Sequence, residues 1–120
     1  MQKENFAVGN LRLGEANHGA VTQGTNRSTA VTLNKLSGVI TTDATSLAAA
    51  GEATFAVNNS FVNVNSTILL TQRTPSATGT SLFFVSKVTA GTFEITLTNL
   101  HASTADTSAS VINFVVINGN

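Results

Sequence analysis

The chain contains two histidines, His18 and His101, and they are the first residues to consider for metal binding. A metal site would need both rings close together, with a carboxylate such as Asp43 or Asp106. Neither histidine has a second histidine two or four residues away, the spacing that puts ligands on one face of a strand or helix. Both lie in sequence rich in Asn, Gly and Ser, so we expect turn histidines and no metal.

A Ser-His-Asp triad is the second chemistry to consider, because 11 Ser, two His and two Asp are present. The chain has no G-x-S-x-G turn to present a nucleophile. A triad is defined by geometry, and a small hydrolase would need an apolar pocket in which His101 and Asp106 converge. With no further signal for nucleophilic catalysis, we expect that the protein is not an enzyme.

Paired carboxylates could serve as a general acid and base, but only if two of them approach within several ångströms in a cleft. Glu94 alternates with apolar residues, as expected on the polar face of a strand, and Glu52 adjoins a glycine. Phosphate-binding glycine motifs, the acid spacing of a Ca²⁺ loop and cysteine are all lacking. The sequence therefore predicts no catalytic, cofactor-binding or metal-binding residue among its six acids: Glu4, Glu15, Asp43, Glu52, Glu94 and Asp106.

Low charge is the main feature of the composition. Of 120 residues, 10% are charged and 42% hydrophobic, with six basic residues balancing six acidic ones. Soluble domains average about 25% charged residues; here Thr (19), Asn (13) and Ser (11) take their place. A net charge of zero argues against nucleic acid as a partner, and no apolar run reaches the roughly 18–20 residues of a membrane span.

Short β-type segments separated by turn residues recur along the chain, which is typical of an antiparallel sandwich. We predict about eight strands, no long helix, and a β-sandwich or jelly roll. Only residues 43–51 have helical character, with Asp43 or Thr45 as a cap and Gly51 as a stop. The predicted strands cover 20–23, 28–34, 39–42, 53–59, 67–72, 82–89, 92–99 and 110–117.

Two of these strands indicate where the core lies. In 92–99, apolar and polar residues alternate, which predicts one buried and one wet face. The strand over 110–117 is apolar on both faces, so it is either central or covered by a partner. The predicted core residues are Phe55, Phe84, Phe93, Ile95, Leu97, Ile112, Phe114 and Val116.

The chain is predicted to have two parts. Residues 1–18 hold four of the charges and a short alternating piece, and we interpret them as an arm or edge segment. Residues 19–120 form the β-sandwich domain. Removing uncharged hydroxyl and amide groups from water costs less free energy than removing charged groups. A domain covered by such groups is therefore suited to permanent packing against other proteins.

From Gly19 onward the order of segments resembles a β-domain common among predicted bacteriophage virion proteins. The likeness covers about 100 residues and consists of several short stretches in a consistent order. These are GAVTQ (19–23), STAVTLNK (28–35), GVIT (38–41), LAAA (47–50), ATFAVNNS (53–60), GTFEITLTN (91–99) and ASVINFVVI (109–117).

The resemblance implies a structural protein of the virion surface, commonly trimeric and without catalytic residues. Because the domain stands almost alone behind a short arm, we expect a capsid decoration (cement) protein on the phage head, assembled in the host cytoplasm. Its expected partners are the major capsid protein and further copies of itself, with no cofactor, nucleic acid or membrane. The alternative is a receptor- or glycan-binding head of a fibre or tail, using loops 73–81 and 100–108.

Overall fold

The computed structural model describes residues 15–118, which form two four-stranded β-sheets packed face to face. Residues 1–14 of the predicted arm lie outside the described residues. A 3-10 turn over Glu15–Asn17 leads into the first strand. The strands are β1 (His18–Thr22), β2 (Val31–Thr32), β3 (Ser37–Thr41), β4 (Glu52–Asn58), β5 (Ser66–Thr74), β6 (Ser81–Thr89), β7 (Thr92–Asn99) and β8 (Val111–Asn118).

Sheet A has the order β1-β3-β8-β5, and sheet B has the order β2-β4-β7-β6. The chain alternates between the sheets over its first four strands, so β1 pairs with β3 and β2 pairs with β4 in parallel. All other neighbours are antiparallel. The prediction of an all-β sandwich with about eight strands is confirmed, whereas this strand order does not establish a jelly roll.

The core lies between the sheets, and alternation along the strands fills it. In β7, Phe93, Ile95 and Leu97 are buried, as predicted. The ring of Phe93 in sheet B packs against that of Phe114 in sheet A, with centroids 5.6 Å apart and planes tilted by 59°. Tilted aromatic pairs of this kind contribute beyond the area they bury. The predicted core residues Phe55, Ile112 and Val116 are buried as well.

Phe84 does not belong to the core, and the prediction for it was wrong. Its side chain is 48% exposed on the outer face of sheet B. Phe84 stands opposite Thr96 on β7, whereas Phe83 stands opposite the buried Leu97 and packs partly against the core. Because residues 82–85 are all apolar, the pattern could not decide which phenylalanine faces inward.

The helical turn predicted over 43–51 is also wrong, because this segment pairs with a distant loop. Leu47 forms an isolated antiparallel bridge with Asp106, with N–O distances of 2.9 and 2.8 Å. The side-chain amide of Asn99 donates to the carbonyls of Leu47 and Ala48, each at 3.2 Å. A helix would need these carbonyls for its own hydrogen bonds, so tertiary contacts override the local preference.

Close packing on β3 requires a glycine at position 38. An added Cβ at Gly38 would lie 2.5 Å from Leu33 Cδ2 and 2.7 Å from Phe114 Cε1. Gly38 pairs with Phe114 across the two strands, so the ring lies over the space that a side chain would take. The Leu33 side chain is half-buried and packs against the core, and the Phe114 ring is 1% exposed within it.

We expect Gly38→Ala to lower the free energy of unfolding by about 1–3 kcal/mol, the usual cost of overpacking. The matched control is Gly24→Ala, because a Cβ there meets no described atom within 4 Å. An unstrained Gly→Ala change is neutral or slightly stabilising. Urea unfolding of the two variants tests this, and equal stabilities would contradict the tight contact at Gly38.

Candidate functional site

A buried ion pair lies where the loops of one end of the sandwich meet. Arg27, in the β1–β2 loop, is 4% exposed, and Asp106, in the β7–β8 loop, is fully buried. Arg27 Nη2 lies 3.6 Å from Asp106 Oδ1 and donates to the carbonyls of Asp106 and Ser108 at 3.2 and 3.0 Å. Arg27 Nε donates to the carbonyl of Thr45 in the β3–β4 loop.

The carboxylate of Asp106 has further donors that offset its burial. Ser81 Oγ donates to Oδ2, and the backbone N–H and the hydroxyl of Ser108 both donate to Oδ1 at 3.0 Å. Buried charges are tolerated when they are paired and hydrogen-bonded in this way. The ion pair therefore joins the start of β6 to loops that precede β2, β4 and β8.

Two buried amides complete this group, which we call the polar clamp and define as Gln23, Arg27, Asn99 and Asp106. Gln23 Nε2 donates to the carbonyls of Arg27 and Thr29 at 3.0 and 2.9 Å. Gln23 Oε1 accepts from the backbone N–H of Asp43 at 3.0 Å. Residues 27–29 are thus held as a loop, which explains why the strand predicted over 28–34 shortens to β2.

Asn99 connects the remaining loops. Its Nδ2 donates to the carbonyl of Thr104 at 3.0 Å, in addition to the two carbonyls of the β3–β4 loop. Its Oδ1 accepts from the backbone N–H groups of Thr80 and His101 at 3.0 and 3.1 Å. The polar clamp thus uses side chains to satisfy backbone groups that turns leave unpaired, and its role is to fix these loops.

The Ser-His-Asp arrangement considered from the sequence, in which His101 and Asp106 would converge, does not form among the described residues. Nδ1 of His101 accepts from the backbone N–H groups of Ser103 and Thr104, at 3.1 and 2.9 Å, so the ring stabilises its own loop. Asp106 is bonded to serines and Arg27 instead. His18 lies on β1, where its Nδ1 is 2.9 Å from Ser37 Oγ.

Over residues 15–118, no three His, Cys, Asp or Glu side chains converge as metal ligands would. Of the candidate carboxylates, Glu52 and Glu94 lie on the outer face of sheet B, and Asp43 lies at the surface. The predictions of no catalytic and no metal-binding residue stay predictions.

The pKa of Asp43 lies below its usual value of 3.8. The main cause is the hydrogen bond from the Thr45 hydroxyl, followed by the bond from the Thr45 backbone N–H and the positive charge of Arg27. Hydrogen bonds to the ionised form favour it. This ionisation therefore stabilises the fold above pH 3.8, and the contribution is lost as the pH falls through the lowered pKa.

We expect Thr45→Ala to raise the pKa of Asp43 toward its usual value, because the hydroxyl donor is removed while the backbone N–H remains. An NMR pH titration of the Asp43 carboxyl carbon measures this directly. The control is Thr67→Ala, an exposed threonine on β5. An unchanged Asp43 titration in Thr45→Ala would show that the side-chain hydrogen bond has no effect.

The two outer faces of the sandwich differ in chemistry. On sheet B, Thr96 Oγ1 lies 2.8 Å from Thr54 Oγ1 and donates to Ser86 Oγ at 2.7 Å. This face also carries Glu94 opposite Lys87. It is hydroxyl-rich and charged, and it also carries the exposed side chains of Leu82 and Phe84.

The outer face of sheet A carries apolar side chains among polar ones, and we call its group of apolar residues the apolar face. The polar residues of the same outer face are His18, Thr22, Ser37, Thr41, Thr67, Thr71 and Asn113. The apolar face centres on β8, whose residues Ile112, Phe114 and Val116 point into the core. The alternate residues of β8 therefore point outward. Within the four strands of sheet A, Arg73 near the end of β5 is the one Lys, Arg, Asp or Glu. The outward apolar residues are Val39, Leu69, Val111, Val115 and Ile117.

Sequence reasoning found this face only indirectly, through a last strand that is apolar on both sides. It missed the polar clamp, since Gln23 and Asn99 are the last residues of predicted strands and Arg27 lies in ordinary turn sequence. Comparison of the chain with protein families, with curated proteins and with solved structures finds no match. None of the helical residues within 15–118 forms a segment long and apolar enough to cross a membrane.

Proposed function

We propose that this protein is a structural protein of a bacteriophage virion. It acts as a capsid decoration (cement) protein that binds the outside of an assembled head and bridges neighbouring capsid subunits. The observation that carries the proposal is the apolar face, an almost uncharged surface on a sandwich whose loops are fixed from within. Burying such a surface costs little free energy of hydration, so the surface is suited to permanent assembly.

The mechanism is thermodynamic linkage between binding of this protein and assembly of the shell. A protein that binds the assembled shell but not its separate subunits stabilises the shell by mass action. The partners are the major capsid protein and further copies of this chain, arranged as a homotrimer on the surface of the head. No covalent chemistry is needed, so the chain carries no catalytic residue in this proposal.

Deleting residues 1–14 tests the contact with the shell. We expect the truncated protein to keep its β-sandwich, shown by an unchanged far-UV circular dichroism spectrum, and to lose binding to purified shells. A variant with residues 1–14 in scrambled order is the control, because it keeps their length and composition. Truncated protein that still decorates shells at full occupancy would contradict the role of this segment.

A glycan- or receptor-binding head remains the second candidate, because the two loops predicted for it lie together. Thr107 N donates to Thr78 Oγ1 at 2.9 Å, and Ala77 N donates to Ser108 Oγ at 2.8 Å. Loops at one end of a sandwich are a common location for binding sites. A glycan array and a host-cell binding assay separate the candidates, since saturable cell binding supports only this one.

A further inference from the structure

The loop that joins β4 to β5 carries two exposed apolar side chains. Phe61 is 41% exposed and Val64 is 69% exposed, whereas Val62 is buried. Residues 59–65 include no Lys, Arg, Asp or Glu. Single exposed apolar residues are ordinary, but two of them on one short loop form a small patch whose burial is favourable.

Hydrogen bonds fix the backbone of this loop. The N–H of Phe61 donates to Asn59 Oδ1 at 3.0 Å, and the carbonyl of Phe61 accepts from Asn118 Nδ2 at 3.1 Å. The carbonyl of Val62 accepts from the N–H of Gly91 at 2.8 Å. Because a loop that is already ordered loses little conformational entropy on binding, burial of its apolar side chains converts efficiently into affinity.

Uncharged polar residues flank the two apolar ones along the loop. The N–H of Asn63 donates to Ser66 Oγ at 2.9 Å, and the N–H of Asn65 donates to Asn63 Oδ1 at 2.7 Å. The side chains of Ser60, Asn63 and Asn65 are exposed. Apolar residues beside an uncharged polar rim match the composition of a protein–protein contact. They offer no electrostatic complement to a charged ligand.

A second pair of exposed apolar residues lies at the opposite end of the sandwich, but a charged residue accompanies it. Leu82 is 51% exposed and Leu100 is 58% exposed. Leu82 stands opposite Thr98 on β7, and the hydroxyl of Thr98 donates to Glu52 Oε2 at 3.4 Å. Covering this pair would bring the Glu52 carboxylate into the contact, whereas the β4–β5 loop itself has no charge to desolvate.

Residues 15–17 lie at the same end of the sandwich as the β4–β5 loop. Lys35 Nζ donates to the carbonyl of Ala16 at 2.9 Å, and the carbonyl of Lys35 accepts from Asn59 Nδ2 at 2.6 Å. Residues 1–14, which contact the shell in the proposed function, therefore join the fold beside the loop that carries Phe61. We infer that the β4–β5 loop anchors this contact, with Phe61 and Val64 inserted into an apolar pocket of the major capsid protein.

The inference rests on the proposed function and gives the attachment a direction. The end of the sandwich with the β4–β5 loop faces the shell, and the end with the polar clamp faces away from it. Loops 73–81 and 100–108 lie at the end that faces away, so they stay accessible on a decorated particle.

The first test measures the affinity of the purified full chain for purified shells assembled without this protein, by co-sedimentation. We expect Phe61→Ser and Val64→Ser each to raise the Kd at least about tenfold, because a few buried anchors carry most of the binding free energy of a contact. Both substitutions leave the backbone hydrogen bonds of the loop in place, and an unchanged Tm confirms that each variant folds.

Leu100→Ser is the matched control, because it removes an equally exposed apolar side chain from the opposite end. We expect this variant to keep the native Kd. Native affinity in Phe61→Ser, or an equal loss in Leu100→Ser, would overturn the inference and leave the decoration role intact. A native protein that binds no shell would contradict the decoration role and the inference with it.

The absence of cysteine from the sequence allows a second test, of the direction of attachment. Ser60→Cys places a thiol on the β4–β5 loop, and Ser103→Cys places one on the β7–β8 loop, both at exposed serines. On shells, we expect the thiol of Ser60→Cys to react with a maleimide at least about tenfold more slowly than in the free protein, since a contact excludes solvent. The thiol of Ser103→Cys should react at an unchanged rate. Protection at position 103 and not at position 60 would overturn the inference.

Discussion

Asp106→Ala is expected to lower the free energy of unfolding by about 3–5 kcal/mol, the typical result of removing one partner of a buried ion pair. Arg27 would remain buried without its counter-charge, and the hydroxyl of Ser81 would lose its acceptor. Small domains have about 5–15 kcal/mol of stability in total, so this loss is a large part of it. Equilibrium unfolding in urea measures the difference.

Asp43→Ala is the control for this prediction, because it removes an aspartate at the surface. Exposed charge interactions contribute little to stability, so this variant should stay close to the native stability. The double variant Arg27→Met with Asp106→Leu should recover part of the loss, because it leaves no unpaired charge. A cost below about 1 kcal/mol for Asp106→Ala would show that the polar clamp does not stabilise the fold.

Phe114→Ala has the second large expected effect, a loss of about 3–5 kcal/mol from the cavity left between the sheets. The ring is 1% exposed and its partner Phe93 lies 5.6 Å away between centroids. Phe84→Ala is the matched control, since the same atoms are removed from an exposed site. We expect this control to cost less than about 1 kcal/mol.

Gly38 and Phe114 are also expected to be coupled. A Cβ at position 38 meets the Phe114 ring, so removing the ring removes most of that clash. Gly38→Ala should therefore cost less in the Phe114→Ala background than in the native protein, and the double-mutant cycle isolates this term. Strictly additive effects would place the strain of Gly38→Ala on Leu33 instead.

Strands with clear alternation could be predicted from the sequence almost to the residue. The predicted strand over 92–99 coincides with β7, because one of its faces is buried along nearly its whole length. Residues 82–89 were also recognised as a strand, but two adjacent phenylalanines left its inward face undecided. Only the register with β7 resolves which of them is buried.

The polar clamp could not be predicted, because its contacts join distant parts of the chain. The hydrogen bond between Arg27 and the carbonyl of Asp106 spans 79 residues in sequence. The same kind of contact overrides the helical preference of residues 43–51, through Leu47 and Asn99. Local patterns carry no information on such pairings, so the sequence predicted a capped helical turn where the structure has a bridged loop.

The apolar face could be predicted only in part. The sequence showed a last strand that is apolar on both sides, and this allowed a central strand or a covered one. The structure shows that β8 is central in sheet A. The outward residues of β8 are still partly exposed. Burial in the core therefore accounts for the inward apolar residues of this strand but not for the outward ones. Low charge and this second face together support an assembly role.

Cryo-electron microscopy of intact phage particles, with the protein labelled by a fused tag, tests the central claim most directly. The decoration role predicts density for the eight-stranded sandwich on the outer surface of the head, at junctions between capsid subunits. Density confined to a tail or fibre, or particles that contain none of this protein, would contradict it.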